Sequence, residues 1–253
     1  TLDGYCELGS DHASWKLVIV NNASTDETGA ILERYEDRLP LIIVDVPTPG
    51  KNAALTIGMQ SVEGDFVILS DDDAIPQAGF LDQWRDAMSS FKDMDVMGGS
   101  IDLVFDTPPP NWLLQEKLRF EELYALRDNI PAGPIDPLGI YGPNMAVRKH
   151  VFSAGVYFDP SIGPNGADKN YGMGSESAFC TSAAAAVFQT GFAPAPLVHH
   201  IVRDHQMTPN YWAKRAFKLG RGVAQRQWKS GILTLKNRSA VVRSLASLHR
   251  TLK

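Results

Sequence analysis

Three carboxylates in succession, Asp71-Asp72-Asp73, stand directly after the apolar run Phe66-Val67-Ile68-Leu69 and one serine, Ser70. Three such acids repel one another unless positive charge sits among them. An apolar run of this kind, introduced by Glu63-Gly64-Asp65, predicts a fully buried strand of a parallel sheet. The carboxyl edge of a parallel sheet is where open α/β folds hold ligands. The chemistry this suits is a divalent cation together with an anionic substrate. The plainer alternative is a solvated acidic turn that caps the next helix. Other residues able to do chemistry lie at the ends of predicted elements: Asn21 and Asn22, Lys51, Asn144, Glu176, and the pair His199-His200.

The elements that must position these residues come from periodicity and breakers. Trp15 to Val20 reads as a strand ending in Asn21-Asn22. Ser24 and Glu27 have capping-box spacing, which predicts a helix from there to about Leu39. Leu41 to Val44 is a second strand, Pro47 to Lys51 a loop, and Ala53 to Met59 a helix leading to the acidic strand. This alternation predicts a parallel sheet with right-handed crossovers. Gly79 to Phe91 and Trp112 to Arg127 read as helices, with strand-like Asp95–Gly99 and Ile101–Phe105 between them. The stretch Phe158 to Gly174 carries six glycines and prolines, and a long irregular segment of that kind commonly forms a lid or binding loop. Ser175 opens an alanine-rich helix. Phe192 begins the last strand, which ends at His199-His200. Two amphipathic helices follow, the first with Trp212, Ala216, Leu219 and Val223 on one face, the second with Val241, Leu245, Leu248 and Leu252.

At 253 residues, 44% hydrophobic and 21% charged, the composition is that of a globular protein. No apolar run approaches the ~20 residues of a membrane-spanning helix. Two cysteines, Cys6 and Cys180, make no disulfide framework and point to a reducing compartment, so a cytoplasmic location is expected. The net charge of −5 conceals an asymmetry: residues 205–253 hold eleven Lys and Arg and no Asp or Glu, leaving 13 cations against 29 anions in the other 204 residues. We therefore divide the chain into a body, 1–204, and a basic helical extension, 205–253. That extension suits an anionic membrane surface, which would make the protein peripheral at the inner face of a membrane; the alternative is that it covers the acidic body of its own chain or a partner. Nucleic acid is not expected as a partner, because no recognition module accompanies the charge.

Taken together, five stretches resemble the family-2 nucleotide-sugar glycosyltransferases of GT-A fold. They are Leu17 to Asp26, Gly50 to Leu55, Ser70 to Pro76 (similar to the family's DxD motif), Gly142 to Arg148, and Pro194 to His199. They stand in the family's order and cover roughly residues 15 to 225. The resemblance implies an α/β, Rossmann-like sheet with a carboxyl-terminal helical extension, and a chain lacking the family's first strand at its amino terminus. Asn21 stands where the family has an acid, Ala53 where it has an arginine, and Ser175-Glu176 where it has its catalytic acidic pair.

What the resemblance implies chemically is a metal-dependent, inverting transfer of a sugar from a nucleotide-diphosphate donor to a hydroxyl of a glycan, polysaccharide or lipid-linked acceptor. UDP-sugar is favoured as donor over GDP- or dTDP-sugar, and Mg²⁺ or Mn²⁺ is the expected cation. Asp73, supported by Asp71, is the expected metal ligand, and Asp71 and Asp72 contact the donor. Glu176 is the expected base, one methylene longer than the family's aspartate; the alternative is that it complements a helix dipole. Asn21 and Asn22 could read the nucleotide or simply make a strand-end turn. Lys51 could steer the diphosphate, and Asn144 could bind acceptor or donor sugar. His199, or its neighbour His200, could complete the metal shell. Trp112 and Tyr141 could stack on sugar faces, although core packing is favoured. The rival readings are a catalytically degenerate module that binds sugar nucleotide, and a metal-dependent enzyme of phosphoryl chemistry.

Overall fold

The computed structural model describes residues 1–9, 11–114, 120–166 and 168–229. After a short helix, α1 (Leu2–Cys6), strand β1 (Leu17–Asn22) passes through α2 (Thr28–Glu33) into β2 (Leu41–Val46), which pairs with it in parallel from Leu17↔Leu41 to Asn22↔Val46. Helix α3 (Lys51–Gly58) packs back on β1, and Gly58 touches the Val20 side chain. A six-stranded sheet follows. Its members are β3 (Phe66–Leu69), β4 (Ala74–Pro76), β5 (Val96–Phe105), β6 (Gly133–Pro134), β7 (Met145–Arg148) and β8 (Thr190–Val202). The order is β3-β7-β5-β8-β4, with β6 paired to β8.

The continuous parallel sheet expected through residue 69 is thus divided. β3 runs antiparallel to β7, with Phe66 opposite Arg148 and Leu69 opposite Met145. It ends the strand order, so among the described residues only one of its edges is paired. That exposes its flank: Phe66, Val67 and Ile68 are half-buried and only Leu69 is fully so, which corrects the expectation of a fully buried strand.

Two shorter helices also differ from expectation. The capping box at Ser24 does not form. Instead Asp26 Oδ1 accepts from the Thr28 amide (3.1 Å) and hydroxyl (2.5 Å), and the helix starts at Thr28 and gives way to turns after Glu33. Between Trp112 and Arg127 the described residues form only α5 (Asn111–Leu114) and α6 (Phe120–Tyr124). Ala125 takes a positive φ of 61°, and Arg127 exchanges two backbone hydrogen bonds with Ile101 of β5 (2.8 and 2.9 Å). Pairing with the part of β5 that lies beyond its β7 partner satisfies backbone groups that a longer helix would have satisfied internally.

Period-two alternation along the sheet divides the core into two faces. Val96 and Val147 face Phe152 of α7 (Lys149–Ser153) and Phe179 of α8 (Ser175–Ala185). Their neighbours Met97 and Ala146 face Phe80, Trp84 and Met88 of α4 (Phe80–Ser90). Each large apolar side chain buried in this way contributes ~1.5–3 kcal/mol. A third, aromatic cluster joins Leu113, Tyr124 and Val202 to Tyr211 and Trp212 of α9 (Pro209–Lys229). Trp112 meets Trp212 edge-on in that cluster. The second predicted tail helix, with Val241 and Leu252, lies outside the described residues. Among those described, no helix is long and apolar enough to cross a membrane.

Candidate active site

β3 delivers its carboxylates to one end of the sheet, and α3 and α8 both begin there. Lys51, the first residue of α3, places Nζ 2.8 Å from Asp71 Oδ1 and 3.6 Å from Glu176 Oε1. One ammonium therefore joins residues from three distant stretches of chain. Burial opposes its charge, but the two carboxylates outweigh that cost and hold the lysine above its ordinary pKa. The three side chains line a cleft with Ser70, Gly142 and Phe158. Glu176 lies directly on Gly142: a Cβ there would come within 2.7 Å of Oε1, so the carboxylate occupies space that only glycine leaves open.

The antiparallel pairing of β4 with β8 sets Ala74 opposite His200 and Ile75 opposite His199, and the Ile201 amide donates to the Asp73 carbonyl (2.8 Å). His200 Nε2 thereby comes 3.3 Å from Asp73 Oδ1, while its Nδ1 donates to the Tyr124 carbonyl (2.6 Å). Burial disfavours ionisation of both side chains. Their mutual hydrogen bond and opposite charges prevail, holding Asp73 below and His200 above their ordinary pKa values. The histidine expected beside the acids was His199. Strand alternation points it to the other face, where Nδ1 is 3.9 Å from Asp102 Oδ2. His200 is the imidazole that meets Asp73.

The asparagines are drawn into the scaffold to different degrees. Asn22 donates to the carbonyls of Val46 (3.3 Å) and Thr48 (2.7 Å) and accepts from the Gly50 amide (2.8 Å), so its polar atoms are spent on shaping the loop before Lys51. Asn21 donates to Asp45 (2.8 Å), and its Oδ1 is buried without a partner. Asn144 is fully buried, which removes it from sugar binding. It accepts from Trp84 Nε1 (3.0 Å) and donates to the Ser100 and Pro196 carbonyls (2.8 and 2.9 Å). Asn144→Ala is expected to cost on the order of 3 kcal/mol in chemical denaturation, because it leaves these groups unpaired in the core. Nucleotide affinity should not change. Asp72 is exposed, with its carbonyl accepting from the Thr1 hydroxyl (2.5 Å). Tyr141 packs beneath the Arg127 guanidinium, 3.8 Å from the ring centre.

Asn52 is a site residue that sequence reasoning missed. It is buried, and its Nδ2 holds the carbonyls of Asp159 (2.8 Å) and Ile162 (3.0 Å). With the Lys51 amide donating to Pro164 (3.0 Å), it fastens the irregular 158–174 segment to the start of α3. From the other side α9 clamps the same segment. The Met173 amide donates to Lys218 (3.0 Å), Arg221 pairs with Asp168 (2.8 Å), and Lys229 pairs with Asp159 (2.8 Å). Hydrogen bonds from Lys229 and Ser161 hold the Asp159 carboxyl down at about 2. Asn52 follows Gly50-Lys51 directly, and that adjacency was the signal available.

Among the described residues no three His, Cys, Asp or Glu side chains converge as a ready-made metal cage. Asp73 and His200 nonetheless fit a pair of cation ligands by their chemistry. The second imidazole nitrogen is anchored on a backbone carbonyl, as in ligating histidines, and a carboxylate–imidazole set suits Mn²⁺ better than all-oxygen Mg²⁺.

A curled α/β sheet with an acid-bearing strand end and a carboxyl-terminal helix is the GT-A glycosyltransferase fold. The profile of glycosyl transferase family 2 matches residues 1–155, and the chain belongs to that family. S. aureus TarS residues 1–349, solved in complex with UDP-GlcNAc, superposes with a TM-score of 0.60 at 15% identity, over 80% of this chain and 53% of that one. Its complex with UDP gives 0.59 at 16%, over 81% and 56%. The mannosyltransferase PcManGT from Pyrobaculum calidifontis, in complex with GDP-Man and Mn²⁺, gives 0.55 at 17%, over 98% and 74%. The chain thus spans about half the length of the TarS structures. No curated protein matches it by sequence.

Proposed function

We propose that this chain transfers a sugar from a nucleotide-diphosphate donor to a hydroxyl acceptor, with inversion and with a divalent cation. The observation that carries this reading is the Lys51 ammonium shared by Asp71 and Glu176 at the carboxyl end of β3, beside the Asp73–His200 pair. In this reading residues 1–204 carry the site and 205–253 extend it. Asp73 and His200 would hold the cation, which when bound supplies positive charge to the departing diphosphate. Lys51 meets the diphosphate as a point charge, and Asp72 faces the donor from the exposed rim. The Glu176 carboxylate takes the proton of the acceptor hydroxyl as that oxygen bonds to the anomeric carbon. The bond from that carbon to the diphosphate breaks on the opposite side, and its electron pair leaves with the phosphate. A UDP-sugar is the favoured donor and a glycan or lipid-linked alcohol the favoured acceptor class.

Calorimetric titration with UDP, GDP and dTDP, each with and without Mn²⁺, tests the donor site. Metal-dependent binding of one nucleotide is expected, and binding of none would overturn the reading. Asp73→Ala is expected to weaken binding in Mn²⁺ by roughly 100-fold and to leave metal-free binding unchanged. One observation favours a second reading, binding without turnover: Lys51 holds Glu176 as a counter-ion rather than leaving it free as a base. Release of nucleoside diphosphate with sugar transferred to an acceptor would exclude it. Release of monophosphate or pyrophosphate would instead indicate phosphoryl chemistry.

A further inference from the structure

The buried face of α9 grips the 158–174 segment, but its opposite face is covered by nothing among the described residues. Ala213, Phe217, Gly220, Ala224 and Trp228 recur at steps of four, three, four and four, which places them on one stripe of the helix, and all five are exposed. The two large side chains are the most telling. Phe217 is 60% and Trp228 58% exposed, eleven residues apart, or roughly 16 Å along the helix axis. Small residues lie between them, so the aromatic rings stand proud of the surface. Lys214, also exposed, flanks the stripe.

Charge selects the occupant. α9 carries six Lys and Arg and no acid; Arg221 and Lys229 are paired with Asp168 and Asp159 of the body, which leaves four, and the sequence beyond it adds five more cations and again no acid. A second copy of this chain docking stripe to stripe would bring two cationic helices together, and the chain's own continuation has the same sign. Both are opposed by repulsion. An anionic lipid surface has the complementary charge, and its headgroup boundary accepts aromatic side chains that are apolar at one end and wet at the other. We infer that α9 is an interfacial anchor: Phe217 and Trp228 insert at the acyl boundary of an anionic membrane, with Lys214 beside them at the phosphates. The contacts from α9 to Met173 and Asp159 would then hold the cleft at a fixed height over the membrane plane.

Cosedimentation of the full chain with phosphatidylcholine vesicles, with and without phosphatidylglycerol, tests the anchor. Strong binding is expected only with phosphatidylglycerol, weakening as salt is raised. The double variant Phe217→Ser/Trp228→Ser should bind at least ~10-fold more weakly with unchanged circular dichroism and thermal midpoint, since both side chains are exposed in the folded chain. Brominated lipids should quench a fraction of the tryptophan emission that Trp228→Phe removes. Failure of the wild-type chain to bind anionic vesicles would overturn the inference. So would a double variant that binds like wild type, or quenching unaffected by Trp228→Phe. Lipid-free self-association that the double variant abolishes would assign the stripe to a second copy and equally overturn it.

Discussion

Gly222→Ala is expected to unseat α9 from the body of the protein, whereas Gly220→Ala, two residues earlier in the same helix, should stabilise it. The helix passes Met173 so closely at Gly222 that an added Cβ would overlap the Met173 carbonyl oxygen, carbon and amide nitrogen. All three are backbone atoms, so no rotamer change relieves the clash. Either α9 rises or the 158–174 segment shifts, and in both cases the Met173–Lys218 hydrogen bond is lost. A destabilisation of ~3 kcal/mol or more is expected, at the upper end of overpacking costs. A Cβ at Gly220 meets nothing within 4 Å. There the helix gains only the lower backbone entropy of alanine, about 0.5–1 kcal/mol. Thermal unfolding of the two variants side by side separates close packing from helix propensity. Limited proteolysis should also cut Gly222→Ala faster within 158–174. Equal midpoints for the two variants would mean that α9 does not rest on Met173.

Gly222 shows which parts of this protein could be read in its sequence. A glycine inside a helical pattern needs a reason, but the pattern cannot say whether that reason is close packing: Gly222 lies against Met173 and Gly220 against nothing. Elements fixed by local periodicity were legible. Trp84, Phe80 and Met88 recur at helical spacing, and α4 is found at Phe80–Ser90 against the expected Gly79–Phe91. The GT-A fold itself was legible through the motif order. Strand pairing was not, because Phe66 to Leu69 would be equally apolar beside β1 or antiparallel to β7. Helix starts were decided by competition between neighbours: Asp26 captured the Thr28 amide, and the Ser24 cap never formed.

Within the candidate site, residue type indicated chemistry but not direction. Asn21, near the end of β1, and Asn144, in the turn before β7, carry the same side chain. One is fully satisfied in the core, and the other keeps a buried oxygen without a partner. His199 and His200 differ only in strand phase, and that phase depends on the β4–β8 register, which no local pattern encodes. The Lys51–Asp71–Glu176 triad joins residues separated by 20 and 105 positions in the chain. Each was a candidate separately, but their sharing of one ammonium is a property of the fold.

That shared ammonium predicts a variant whose defect depends on pH. Lys51→Met keeps the length of the side chain and removes the charge. Asp71 and Glu176, both within 4 Å of the lost nitrogen, are then left facing each other across the cleft. At pH 7 the repulsion, screened because the lysine and both acids remain partly solvated, is expected to cost about 1–2 kcal/mol of stability. The sign with pH follows from which charge is present. The folded-state pKa of Lys51 is raised, so its contribution is fully present below the ordinary lysine value and is lost only above it. Through neutral pH the wild-type lysine therefore stays charged, and the variant's deficit should hold constant. Above the ordinary lysine value the wild type begins to lose that contribution, so the deficit should shrink as the pH is raised further. Sugar transfer should respond differently. If Lys51 meets the diphosphate, turnover should fall by on the order of 10²–10³-fold throughout neutral pH, as for loss of one preorganised donor to developing charge. Urea denaturation across pH, with transfer assayed in parallel, checks both. A deficit that stays flat above the ordinary lysine value would remove the electrostatic role of Lys51 between the two acids. Unchanged turnover would remove it from the donor site and leave it as a structural counter-ion.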